Sequence, residues 1–261
     1  MLLDAEKQTV EVPTDKLFEQ RKKLEDALLL EKISLKALQS LIGSLNFLCR
    51  AIAPGRAFSR RLIGATRGLA HPREVTRVTL SMKEDLKMWL EFLAKFNGVS
   101  LFRDPIWESN ADVEFFTDAA ASIGLGIYVQ GNWAHAKWGN HFPVETAANN
   151  ITFLELFPIV AAVHMFGELI RNKKVLFHCD NMAVCEIMNS QSSRCPRIMD
   201  LVRPLVLACL ELNVTFKVQH LAGCRNSIAD ALSRFQMDVF HREAPRAAPS
   251  PTPIPGHLWL L

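Results

Sequence analysis

Four acids, Asp118, Glu155, Asp180 and Asp230, stand where the patterning of the chain lets their carboxylates meet. Asp118 ends a run in which Val113, Phe115 and Thr117 alternate with Glu114, Phe116 and Asp118, the period of a strand. Asp180 follows a second short β-rich run, 174–179. Glu155 falls in the first turns of a long apolar helix over 151–170, and Asp230 in the first turns of a helix over 226–235. Taken singly, each has an ordinary reading. Asp118 and Asp180 can accept turn hydrogen bonds, the latter in an Asx turn with Asn181. Thr152-x-x-Glu155 is a capping box, and Asp230 suits a helix N-terminus electrostatically. Taken together, two acids at strand ends and two at helix starts can converge on one edge of a mixed sheet. Such a cluster repels itself and persists only with protons or cations to neutralise it. Hard oxygen ligands with open positions suit Mg²⁺ or Mn²⁺ rather than zinc. Two such ions ~4 Å apart can hold an attacking water and a leaving oxygen in line at one phosphorus. The chemistry expected is phosphodiester hydrolysis.

The elements that must position these acids read in the order βββαβααβα. Strands are expected over 113–118, 123–130 and 132–138, with a tight turn at Gly131 and Asn132. A loop over 139–150 leads to the helix of 151–170, which Pro158 kinks or marks at the end of its first turn. Then come a strand at 174–179, helices at 182–188 and 196–212, a strand at 214–219, a loop at 221–225 and the last helix. Consecutive strands followed by alternating α and β elements predict a mixed sheet with helices packed on it. The small residues after Asp118, with Gly124 and Gly126, leave room for backbone, metal or phosphate to approach.

Upstream, residues 1–105 read as a helical module. Helices are expected over 14–31, from a Ser34 cap to about Leu48, over 58–63, and from a Ser81-x-x-Glu84 capping box to about Phe96. Arg50, Arg56, Arg60, Arg61, Arg67, Arg73 and Arg77 are opposed over their span only by Glu74. They make either a solvated basic face or a phosphate-contacting surface. The tail from Ala244, A-P-R-A-A-P-S-P-T-P-I-P-G, is expected as an extended linker without a core of its own. The six cysteines form no C-x-x-C pair, which favours a reduced, intracellular setting. The N-terminus lacks a signal-peptide pattern. Glu155, His164, Glu168 and Pro158 argue against a membrane span at 151–170. Hydrophobic content of 49% against 22% charged predicts a genuine core.

F-T-D-A-A at 116–120, F-L-E-L-F at 153–157, H-C-D-N at 178–181 and H-L-A-G-C-R-N-S-I-A-D-A-L-S-R at 220–234 resemble the ribonuclease H domain of retroelement polymerases. L-Q-S-L-I-G-S-L-N-F at 38–47, P-G-R at 54–56, E-D-L-K-M-W-L-E-F-L at 84–93 and F-N-G at 96–98 are similar to the thumb and connection segment of DIRS-like, tyrosine-recombinase retrotransposons. The resemblance implies a thumb-like module at 1–105, an α/β ribonuclease H-like domain at 110–236 with a mixed five-stranded sheet and flanking helices, and a linker at 237–261. It implies that Asp118, Glu155, Asp180 and Asp230 bind two Mg²⁺ (or Mn²⁺) ions. His220 would be a mobile helper that moves a proton or assists product release, or else a loop histidine bonded to the last helix. Asn226 would touch substrate or cap its helix. Asn181, Ala119 and Ser122 would lie near the RNA strand's 2′-hydroxyls, which tell RNA from DNA. Lys137 and Arg194 are weaker candidates for phosphate contacts and otherwise plain surface charges, while Arg56 and Arg60 would help hold the substrate.

The implied activity is endonucleolytic hydrolysis of the RNA strand of an RNA–DNA hybrid, leaving a 3′-hydroxyl. No Y-x-D-D-like run precedes Leu38, and no recombinase pattern follows the tail. The expectation is an internal slice of a retroelement polyprotein that neither polymerises nor integrates DNA, with a reverse transcriptase's palm domain as candidate partner. Two other readings stand beside it: a remnant that binds nucleic acid without cutting it, and a protein-interaction domain using the leucine-rich helices of 14–49.

Overall fold

The computed structural model describes residues 1–101, 113–138, 150–220 and 226–261. The loop expected at 221–225 and nearly all of that at 139–150 lie outside these residues. The chain is mixed α/β, with several small sheets, and divides into two compact units, Met1–Asp104 and Pro105–Leu261.

The first unit runs β1 (Leu2–Asp4), β2 (Thr9–Glu11), α1 (Thr14–Leu29), β3 (Lys32–Ser34), α2 (Leu35–Leu48), a 3-10 turn at Ala53–Phe58, α3 (Arg60–Gly64), β4 (Val75–Arg77), α4 (Leu80–Lys95) and β5 (Val99–Leu101). It is therefore not purely helical. β1, β2 and β5 form one antiparallel sheet, and β3 pairs antiparallel with β4. Strands of three residues are too short for a period of two to show in the sequence. On α2, Leu35, Leu38, Leu41, Leu45 and Leu48 are buried, and the Ser34 hydroxyl accepts the Ala37 N–H at 3.3 Å. The cap of α4 is Thr79 rather than Ser81. The Thr79 hydroxyl accepts the Met82 N–H at 3.2 Å, so Ser81 already lies in the first turn.

The second unit runs β6 (Phe115–Ala120), β7 (Gly124–Val129), β8 (Asn132–Lys137), α5 (Ile151–Phe166), a 3-10 turn at Gly167–Ile170, β9 (Lys174–Cys179), α6 (Met182–Ser190), α7 (Pro196–Glu211), β10 (Thr215–His220), α8 (Ser227–Ser233), α9 (Met237–Glu243) and a 3-10 turn at Gly256–Leu260. β6, β7 and β8 form an antiparallel meander, and β9 and β10 a parallel pair. Among the described residues these are separate hydrogen-bonded ladders rather than one five-stranded sheet. β6 nonetheless flanks β9, and the Phe115 and Phe177 rings lie 4.6 Å apart.

Pro158 stands inside α5, which gives way to the 3-10 turn after Phe166. The stretch Ile151–Ile170 is long and apolar enough to cross a membrane, yet it is mostly buried within the protein. A helix apolar on all sides is what a core helix requires.

The tail departs from a coreless linker. Phe240 of α9 is fully buried among Tyr128, Trp133, Ala231 and Leu232. Beyond it the Ala248 N–H donates to the Gly131 carbonyl at 2.8 Å, and the Thr252 N–H to the Trp133 carbonyl at 2.8 Å. The Trp133 indole N–H returns a bond to the Ala248 carbonyl at 2.7 Å, and Trp259 stacks on Phe157. Proline keeps the segment extended but leaves its carbonyls, its other N–H groups and its few large apolar side chains free to bind the β8 edge and α5.

Candidate active site

Asp118 lies near the end of β6 and is 8% exposed. The Ser233 hydroxyl, itself buried, donates to its Oδ2 at 2.5 Å and also reaches the Asp230 carbonyl at 3.0 Å. α8 can come this close because Gly126 stands opposite Asp118 in the β6–β7 register. A Cβ on Gly126 would lie 2.5 Å from the Ala229 carbonyl oxygen and 2.8 Å from the Ser233 nitrogen. The glycine is thus required by the packing of the helix that carries Asp230.

Glu155 is freed from capping. Asn150 caps α5 instead, its Oδ1 accepting the Phe153 N–H at 3.2 Å. The Glu155 carboxylate turns inward, is 9% exposed and accepts the Ala119 N–H. One of its oxygens, the Cys179 sulfur and one Asp180 carboxylate oxygen lie within 4.8 Å of one another. Asp180 is the exposed member, at the end of β9. The Asx turn expected of Asp180 is replaced by Asn181, whose Oδ1 accepts the Val184 N–H at 3.2 Å and caps α6. Asp230 forms an ion pair with Arg234 within α8, Nε to Oδ1 at 2.7 Å.

The electrostatics show the crowding. Burial pushes Glu155 up to about 8; the charges of Asp118 and Asp180 add to this, and the Ala119 N–H offsets part of it. Burial also raises Asp118. Ser233 draws it back, Asp230 and Asp180 push it up, and Arg234 pulls it down. Asp118 therefore feels the charge of each of the other three acids, although among the described residues the set within 4.8 Å is Glu155, Cys179 and Asp180 and takes in neither Asp118 nor Asp230. Burial drives the Cys179 thiol far above its usual range, and its sulfur accepts the Asn181 N–H at 3.4 Å. It stays a protonated thiol at ordinary pH, so the donors on offer are carboxylate oxygens. That donor set fits a hard divalent cation such as Mg²⁺ or Mn²⁺.

The remaining expected residues divide. His220 is exposed at the end of β10, with Nε2 3.1 Å from the Asp180 carbonyl. It is tied to the end of β9 rather than to the last helix. Asn226 donates to the Thr117 carbonyl at 2.9 Å and makes no side-chain cap, so it pins the start of α8 to β6. Ala119 is buried and Ser122 exposed in the turn after β6. The Lys137 ammonium lies 5.7 Å from the centre of the Phe235 ring, and Arg194 is exposed ahead of α7. Arg56 is exposed and Arg60 half-buried, both in the first unit. Arg61 leaves the expected basic face, because it bonds the Ser81 carbonyl, Glu84 and the fully buried Asp85.

Ser233 and Arg234 were not among the expected site residues. Their signal was present in A-D-A-L-S-R: positions three and four beyond Asp230 share its face of a helix. Comparison with protein-family models and with curated proteins returns no match.

Proposed function

We propose that the chain is a metal-dependent endoribonuclease that hydrolyses the RNA strand of RNA–DNA hybrids. The observation that carries this is Asp118, buried on β6 and interacting with acids from the end of β9, from α5 and from α8. The finer fold belongs to the same proposal. β6 flanks β9, and were the meander and the parallel pair joined there, they would make a ribonuclease H-like sheet of order β8-β7-β6-β9-β10.

Asp118, Glu155, Asp180 and Asp230 would hold two Mg²⁺ or Mn²⁺ ions, which supply a water of lowered pKa and neutralise charge at the phosphate. The protein's own groups do the positioning. Ser233 fixes one oxygen of Asp118, so the other is left for the ions. The Ala119 N–H fixes Glu155. His220, held by one hydrogen bond at the rim, can carry a proton to the departing 3′-oxygen as the P–O3′ bond breaks and the water oxygen bonds to phosphorus. Ser122, exposed in the turn after β6, would read a ribose 2′-hydroxyl. A retroelement setting, with a palm domain delivering the hybrid, is part of this reading and rests on the motif resemblance alone.

The test is cleavage of an end-labelled hybrid by the full chain with Mg²⁺ or Mn²⁺. The hybrid's RNA strand should be cut and duplex DNA spared. Asp118→Asn should lose cutting by at least about a hundredfold while retaining binding. A wild-type protein that binds hybrid and leaves it intact would replace this reading with that of a silent nucleic-acid binder.

A further inference from the structure

We infer that a cationic face of the first unit, where β4 pairs with β3 and meets the start of α2, grips the phosphate backbone of a nucleic-acid duplex. This rests on the proposed function to the extent that a phosphodiester substrate makes a duplex the favoured polyanion.

Three features of the face lead there. The β3–β4 register sets Lys32 directly opposite Arg77, both exposed. Like charges facing each other across an antiparallel pair are destabilising, so the rung is unfavourable until an anion joins it. Two residues along the ladder, roughly 7 Å, is the Ser34–Val75 rung. Ser34 borders a cleft of about 590 Å³ whose other walls are Lys36, His71, Pro72 and Arg73.

The cleft is built to present side chains. The Leu35 and Lys36 N–H groups bond the Glu74 and Pro72 carbonyls, which joins its walls and uses up those amides. The Arg73 N–H donates to His71 Nδ1 at 3.2 Å, which leaves Nε2 as the ring's donor. Glu74, the acid within the β4 approach, turns its Oε2 to the Ala70 N–H at 2.8 Å. Among the described residues, Lys32, Lys36, Arg73 and Arg77 take part in no ion pair. A duplex presents a charge every ~1.7 Å of its axis with both strands counted. One phosphate in the cleft therefore leaves another within reach of the Lys32–Arg77 rung.

The face differs from the arginine surface expected from the sequence. Arg61 is committed to Asp85 and Glu84, and Arg50 lies over the Phe47 ring. Arg73 and Arg77 instead join two lysines and a histidine brought from other segments.

The test titrates the full chain carrying Asp118→Asn, which keeps the substrate intact, against a fluorescent RNA–DNA hybrid by anisotropy over a range of salt. Adding Lys36→Ala and Arg73→Ala should weaken binding at least about tenfold and make the slope of log K against log salt shallower by about 2, near 0.9 for each lost phosphate contact. Circular dichroism should show the fold retained. An unchanged affinity and slope overturn the inference. So does a wild-type chain that binds phosphatidylserine vesicles through these residues and not hybrid. The two proposals fail separately. Loss of binding in the double variant with no cutting by wild type removes the nuclease and leaves the grip. Cutting by wild type with unchanged affinity in the double variant removes the grip and leaves the nuclease.

Discussion

Glu155→Gln isolates what the crowded acids do to stability. Burial, then the charges of Asp118 and Asp180, raise Glu155 from an ordinary 4.5 to about 8. In the unfolded chain the group loses its proton near 4.5, whereas the folded protein keeps it to about 8. Between those values the native state binds the extra proton, so stability falls as pH rises. The contribution is complete below the unfolded value and lost as pH passes through the folded one. At about 1.4 kcal/mol per pH unit, going from about pH 5 to about pH 7.5 removes on the order of 3 kcal/mol from the metal-free protein. Asp118 is shifted in the same direction and steepens the fall. Glutamine keeps an oxygen for the Ala119 N–H and carries no charge. In chelator at about pH 7.5 the variant should therefore melt higher than wild type, by roughly 5–10 °C for a domain of this size. Near pH 5 the two should melt together. Adding Mg²⁺ at about pH 7.5 should raise the wild-type melting temperature and leave that of the variant nearly unmoved. Parallel melting curves for the two proteins across this pH range would refute the reasoning, because Glu155 would then not hold its proton through burial beside the other acids.

Two further outcomes follow from the same packing. Ser233→Ala leaves the buried Asp118 Oδ2 without its donor and should cost about 1–3 kcal/mol in urea unfolding, with Asp118 pushed higher still and the Mg²⁺ needed for cleavage increased. Ending the chain at Gln236 removes Phe240 from the Tyr128–Trp133 cluster and strips the tail from β8. The loss should be at least about 3 kcal/mol, read as a lower denaturation midpoint, and a truncated chain as stable as the full one would show the tail to be dispensable.

Local signals are legible where they are long enough. The run Lys174–Cys179, bounded by Asp180 and Asn181, is a strand at those same limits, and the two strands that follow Asp118 shift by only a residue at one end or both. β1, β3, β4 and β5, three residues each, are not legible, since two or three positions carry no period. Caps are legible as residue types and less so as positions. Ser34 caps α2 as expected, whereas Thr79 and Asn150 displace the boxes centred on Ser81 and Thr152, because each helix begins one residue before the Ser or Thr of its box. The tail misleads because proline marks extended backbone and says nothing about what that backbone lies against.

The acids show the same divide between local and long-range information. That each sits near an element's end can be read from the sequence, but their meeting depends on β6 flanking β9 and on α8 crossing Gly126, neither of which any short window encodes. Where their charges couple, the structure supplies four ways of relieving the repulsion. Ser233 bonds Asp118, Arg234 pairs with Asp230, the Ala119 N–H bonds Glu155, and a proton stays on Glu155 to about 8. The first three are fixed by the fold. The proton is the exchangeable one, and a divalent cation needs the oxygen that it occupies. Cation and proton therefore compete at Glu155, so metal affinity must climb with pH up to about 8. It should level off above that, even for a variant such as His220→Ala that keeps all four acids.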